Sequence, residues 1–181
     1  MKKLRVFSLL LTLTLLTGLL SPYAAASGSG SAILDGMQVQ AKAAILVDAD
    51  YDEVLYEQNA HEKMYPASIT KVMTCLLTLE AVDRGELTLE QVVTASSALH
   101  TGIGEGASTA DIKEGEQLRI IDLLYAALIP SGNEACNVLA EAVSGSVTEF
   151  VARMNARAAE LGMTGTHFSN THGYHDDDHY T

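Results

Sequence analysis

Across 181 residues the chain sets 23 Asp and Glu against 11 Lys and Arg, a formal charge of −12. That balance argues against nucleic acid or an anionic membrane surface as a partner, and solvated acid on a single domain is its simplest reading.

The first stretch is Met1-Lys2-Lys3-Leu4-Arg5, followed by an apolar run from 6 to 20 broken only by Ser, Thr and Gly, and then Pro22 with small residues at Ala24 and Ala26. Basic start, apolar middle and small-residue end predict a secretory signal peptide over 1–26, cut after Ala26. The run is short for a membrane span, and no cysteine follows it to support lipoprotein processing. Its removal takes away Lys2, Lys3 and Arg5 and moves the charge to −15. The protein is therefore expected to be exported, to the extracytoplasmic face of the cell envelope.

Residues 27–42 are rich in Gly and Ser and read as a linker. Residues 43–48 and 54–58 are strand-like and joined by a polar turn, which predicts a β-hairpin. After a loop at 59–65, Pro66 suits the first turn of a helix. The following residues are apolar on almost every face, so a helix over 66–84, ended by Gly85, is expected at a domain centre. Beyond it come a short helical turn at 87–91, a strand at 92–94 and a glycine-rich loop at 102–106. That loop carries Glu105 and no lysine, so it does not read as a phosphate cradle. A helix over 118–129 stops at Pro130, a second runs from Ser131–Glu134 to Gly145, and Ser146-x-x-Glu149 is a capping box that opens a third, ending at Leu161 and Gly162. Cys75 and Cys136 fall within apolar helical stretches and are read as free, buried thiols.

Ser68 and Lys71 stand three apart, so on a helix they share a face and the amine reaches the hydroxyl. A lysine takes a serine proton only when its amine is neutral. Its reference value near ~10.4 must then be lowered by burial and by the positive field of a helix start. The alternative makes Ser68 a helix cap and Lys71 a snorkelling surface residue, but a lysine near the start of an all-apolar helix has no obvious solvated face. Ser131 and Asn133 are the second candidate pair. Ser131 with Glu134 also fits a capping box. The chemical alternative uses the hydroxyl to pass a proton from Lys71 to a leaving amine, and the carboxamide to hold Lys71 and a substrate carbonyl. Finally, the run from His172 to His179 holds three histidines and three aspartates. It reads as a polar loop rather than a zinc site, because Gly173 opens it and no apolar periodicity supports a helix.

Ser68-x-x-Lys71 at a helix start and Ser131-x-Asn133 on an inter-helix turn together resemble the penicillin-recognising serine acyl-transferases. Within these the chain resembles the serine-type D-alanyl-D-alanine carboxypeptidases, the low-molecular-mass penicillin-binding proteins of peptidase family S11. The matching stretches are Ala44-Ile45-Leu46-Val47-Asp48, Pro66 to Thr74, Ser131-Gly132-Asn133-Glu134-Ala135-Cys136, Thr166-His167-Phe168-Ser169-Asn170 and His172-Gly173. The resemblance implies an α/β (α+β) fold of the β-lactamase/transpeptidase type over 43–181. Ser68 would be the acylated nucleophile, Lys71 its general base, Ser131 the proton relay and Asn133 the group that orients substrate and Lys71. It also implies a peptidoglycan stem peptide ending in D-Ala-D-Ala as substrate, β-lactam antibiotics as inhibitors, and no metal or organic cofactor.

The family's third motif, Lys-Thr-Gly on a strand lining the cleft, has no counterpart, since no lysine follows Lys113. His100-Thr101-Gly102 precedes Ser131 and reads as a loop. The chain therefore looks like the amino-terminal part of the catalytic domain, with the hairpin and helical layer present. The carboxy-terminal sheet strands, one oxyanion-hole donor and the membrane-surface anchor would be missing. An open hairpin edge, lower stability and little turnover are expected. Two other readings stand beside the carboxypeptidase. A related serine β-lactamase is disfavoured because no Glu-x-x-Leu-Asn follows Ser131, and a non-catalytic fragment that binds peptidoglycan or a partner is kept in play by the absence of the third motif.

Overall fold

Asp48 begins the local order of the first unit. Its carboxylate accepts the amide protons of Asp50 (3.0 Å) and Tyr51 (3.3 Å), which turns the chain between two strands. The computed structural model describes residue 36 and residues 39–181; the expected signal peptide over 1–26 and most of the expected linker lie outside the described residues. The chain divides into two units, Met1–Glu62 and Lys63–Thr181. In the first, β1 (Ala44–Asp48) pairs antiparallel with β2 (Glu53–Gln58), with Ala44 opposite Gln58 and a bulge after Leu46. This is the expected hairpin. It is two-stranded among the described residues, and its edges are unpaired there.

The second unit is helical. A short 3-10 turn, Ala67–Ile69, leads into α1 (Thr70–Asp83), close to the predicted span. Gly85 at φ +74° ends it, with the Glu86 amide donating back to the Ala81 carbonyl. The expectation of burial on almost every face needs correction. Lys71, Met73, Thr74, Cys75, Thr78 and Ala81 are buried, but Ile69 and Val72 are 73% and 62% exposed and Leu79 is exposed too. Because the whole helix is apolar, composition does not reveal which stripe is covered.

Two further corrections lie just downstream. Residues 87–91 form a turn rather than a helix, and Leu118 belongs to a strand. β3 (Val92–Thr94) pairs antiparallel with β4 (Gln117–Arg119), Val93 facing Leu118. α2 (Ile120–Leu128) starts only after that ladder, and its first two amides donate to the carbonyls of Gln91 and Leu89. The residues expected to be helical instead serve as acceptors for orphan donors of the next helix.

α3 (Asn133–Ser144) is the most enclosed element, with every residue from Asn133 to Ala140 buried. It contacts α1, α2 and α4 (Val147–Glu160). Gly145 closes it at φ +78°, and Ser146 caps α4 by accepting the Glu149 amide at 3.1 Å, as expected. One core cluster joins Leu99, Ile120, Leu123, Ala127, Cys136 and Leu139; another joins Met73, Leu77, Ala140, Phe150, Met154 and Phe168. Cys75 and Cys136 are both free and buried, and burial pushes their thiols up to about 11 and about 12. After α4 the chain crosses the start of α1 as an ordered strap. Its far end is fixed by paired hydrogen bonds between His167 and Tyr180 and between Met64 and Thr181.

Candidate active site

The 3-10 turn before α1 sets the position of Ser68. Pro66 enters it at φ −72°, and Ala67 adopts φ +48°, a left-handed conformation that a residue with a Cβ rarely takes. One turn later Lys71 points back along the helix, as its Cα–Cβ direction dictates. Lys71 Nζ lies 3.1 Å from Ser68 Oγ and donates to the His172 carbonyl at 2.9 Å. The side chain is only 2% exposed. Desolvation pulls its amine below the ordinary lysine value, while Cys136, Cys75 and Glu134 nearby oppose that shift. A buried amine so placed can take the hydroxyl proton of Ser68.

The second half comes from the α2–α3 turn. Ser131 sits at φ +62° and its hydroxyl donates to Ser68 Oγ at 3.0 Å. Such backbone strain costs on the order of 1 kcal/mol and persists only where its surroundings fix it. Here they do. The Gly132 amide donates to the Ala126 carbonyl at 2.9 Å, and a Cβ at Gly132 would meet the Ala110 Cβ at 2.8 Å, so only glycine allows this closeness. The Asn133 amide donates to the Ser108 carbonyl at 3.0 Å.

The Ser131–Glu134 capping box does not form. The residue before α3 is Gly132, without a side-chain cap, and the 4% exposed Glu134 carboxylate accepts from Thr109 Oγ1 (2.6 Å), the Ala110 amide (2.7 Å) and the Ile112 amide (3.3 Å). Glu134 thus ties the 109–112 loop to the serine turn. Asn133 opens α3 and is buried, but among the described residues its carboxamide has no hydrogen bond to Lys71. Of the four predicted site residues, Lys71 and Ser131 therefore converge on the Ser68 oxygen, and Asn133, two residues past Ser131, has no side-chain hydrogen bond to them among the described residues.

Two of the three tail histidines are taken up by the structure, while His175 stays exposed with Asp176–Asp178. The Ser169 amide donates to His179 Nδ1 at 3.1 Å, so the neutral ring holds its proton on Nε2 and donates to Thr70 Oγ1 at 2.7 Å. His172 and His179 are both buried, rather than solvated in a polar loop as expected. Gly173 explains the closeness of this strap to α1: at φ +83° a Cβ there would run into the Ala67 carbonyl and stand 2.7 Å from Thr70 Oγ1. Reading from sequence missed Glu134, His172 and Gly173 as parts of the site. The glycine directly after a histidine in a polar run was the available signal for a close approach. Among the described residues no cluster of three or more metal-ligating side chains occurs.

Comparison with known proteins is consistent across sequence and structure. The D-alanyl-D-alanine carboxypeptidase family model (peptidase S11) matches residues 29–181. D-alanyl-D-alanine carboxypeptidase DacF of Bacillus subtilis is 38% identical over 174 residues, which cover 96% of this chain and 43% of that protein. DacC of Escherichia coli is 39% identical, over 77% of this chain and 36% of its own length. The chain thus spans about two fifths of the length of the curated relatives it matches. Among solved structures, penicillin-binding protein D2 of Listeria monocytogenes in its ampicillin-bound form superimposes with a TM-score of 0.67 at 30% identity, covering 80% of this chain and 57% of that one.

Proposed function

The chain belongs to the D-alanyl-D-alanine carboxypeptidase family, peptidase S11, and from that premise we propose that residues 43–181 form the amino-terminal part of a serine-type D-Ala-D-Ala carboxypeptidase catalytic domain in cell-wall biogenesis. Ser68 is the nucleophile and neutral Lys71 its base. Lys71 takes the hydroxyl proton as Ser68 Oγ attacks the carbonyl of the penultimate D-alanine of a peptidoglycan stem peptide. Ser131 relays that proton to the amine of the terminal D-alanine, which leaves, and water then hydrolyses the Ser68 ester. Asn133 orients substrate and Lys71. β-Lactam antibiotics acylate the same oxygen. Residues 1–26 direct export, and 27–42 link the leader to the domain.

One observation carries this reading: a single oxygen, Ser68 Oγ, lies 3.1 Å from a buried lysine amine and 3.0 Å from a second serine hydroxyl. The test is D-alanine release from a peptide ending in D-Ala-D-Ala. Because the 181 residues hold no lysine after Lys113, the chain alone should release little D-alanine. A version extended through a Lys-Thr-Gly strand should release it, and lose that activity with Ser68→Ala. An extended, folded protein that stays inert would overturn the assignment. It would favour the second reading, a non-catalytic peptidoglycan- or partner-binding protein.

A further inference from the structure

The acceptor that holds Lys71 is a backbone carbonyl on the strap, 101 residues away in sequence. Asn170 Oδ1 accepts from the amides on either side of that carbonyl, His172 at 3.2 Å and Gly173 at 2.6 Å, and the ring of His172 ties the same stretch to a second loop. The Tyr174 amide donates to His172 Nδ1 at 3.1 Å, so the neutral ring's proton is on Nε2, which faces the Thr101 carbonyl at 3.3 Å. Thr101 is held in turn by Asn137 of α3, whose Nδ2 donates to the Thr101 carbonyl at 2.9 Å and to that of Leu99 at 3.0 Å. Asn137 Oδ1 accepts from Thr171 Oγ1 at 2.6 Å, and the Thr171 carbonyl accepts from Thr74 Oγ1, back on α1, at 2.6 Å. The result is a closed circuit, buried on its α1 side and part-buried at Thr101, from Lys71 through His172, Thr101, Asn137 and Thr171 to Thr74.

We propose that His172 is a positioning residue for Lys71: its imidazole, fixed as the Nε2–H tautomer between the Tyr174 amide and the Thr101 carbonyl, holds the strap over the lysine amine and aims that amine at Ser68. The proposal rests on the reading of Lys71 as the base. Burial keeps the ring neutral, drawing it down to about 4 against the Thr101 hydrogen bond, with Lys71 and His179 adding to the shift. A charged ring would turn an Nδ1 proton towards the Tyr174 amide proton and lose the staple. A neutral ring keeps it, and the strap then shields Lys71 from water, the largest cause of its lowered value.

The test uses the 181-residue chain and two nuclear magnetic resonance readouts that need no turnover. Nitrogen spectra of the wild-type histidines should show His172 neutral and protonated on Nε2 at about pH 6. Titration of carbon-labelled lysines, with Lys71 assigned through Lys71→Arg, should place Lys71 below ordinary lysines. His172→Phe, which fills the space but holds neither partner, should return Lys71 towards the ordinary value, and His172→Gln, which can still donate to Thr101, should recover part of the shift. A purely structural role would lower the melting temperature and leave the Lys71 titration in place. If His172→Phe does not fold, the wild-type ring decides alone. A His172 charged at about pH 6, or a Lys71 titration unmoved by His172→Phe, overturns the proposal. Ser68 acylation by a penicillin, measured in parallel, should fall about tenfold near neutral pH for each unit that Lys71 rises. A chain that shows both titrations but takes no penicillin, as it stands and when extended through Lys-Thr-Gly, counts against the proposed function and still supports this positioning role.

Discussion

Lys71, itself buried, donates to one carbonyl and lies beside the hydroxyl of exposed Ser68. Because desolvation lowers its value, the neutral fraction at neutral pH exceeds that of a surface lysine, and acylation of Ser68 should rise with pH through the Lys71 titration. Lys71→Arg puts a permanently charged guanidinium where the base was, and should slow acylation by ~10²-fold or more, read as a second-order rate constant against a fluorescent penicillin. His172 makes a separate prediction for stability. Its value falls from 6.5 to about 4 on folding, so between those limits the unfolded chain binds a proton that the native chain does not. Stability is full above pH 6.5 and falls as pH drops through the window, by roughly 3 kcal/mol in all. Urea midpoints at about pH 7 and about pH 5, above most carboxylate titration, should differ in the wild type and differ much less in His172→Gln. Ser68 and Lys71 were legible in sequence because their spacing of three brings them together across the 3-10 turn that leads into α1. The Ser131 and His172 contacts span 63 and 101 residues, and no local rule predicts which distant groups a fold brings to a given oxygen.

At the level of elements, two glycines and one carboxylate hold the site together. A Cβ at Gly173 would strike the Ala67 carbonyl and crowd Thr70, in a backbone conformation that alanine resists. Gly173→Ala should therefore cost more than ~2 kcal/mol and slow penicillin acylation, whereas Gly165→Ala, with open space and no positive φ, should stay within ~0.5 kcal/mol. Thermal melts of the two variants check this directly. Removing the Glu134 carboxylate with Glu134→Ala leaves the Thr109 hydroxyl and the Ala110 and Ile112 amides without their acceptor, at a cost of about 1–3 kcal/mol. It should also loosen the Ser131 turn, seen as slower acylation. Helix positions were readable from glycine, proline and capping signals, which act locally. The β3–β4 ladder was not, because Leu118 and Arg119 run without a break into the apolar stretch of Ile120–Leu128 and pass for the start of α2. Only pairing with Val92–Thr94 makes them a strand.

For the whole molecule, the first hairpin, the helical layer and the family were legible. The motifs that mark the family are short and lie in elements whose ends are well punctuated. The exposed stripe formed by Ile69 in the preceding turn and Val72 and Leu79 of α1 was not legible, since an evenly apolar helix looks buried throughout. Adding a Lys-Thr-Gly strand should convert a chain that acylates into one that turns over, measured as D-alanine released per mole of enzyme. The claim on which the account rests is that Ser68, activated by Lys71, is the acylated oxygen. Intact-protein mass after incubation with a penicillin tests it most directly, beside Ser68→Ala. The account predicts one added penicillin mass on the wild-type chain and none on the variant. An adduct that persists in Ser68→Ala would contradict it, as would a folded chain that takes no penicillin both as it stands and when extended through Lys-Thr-Gly.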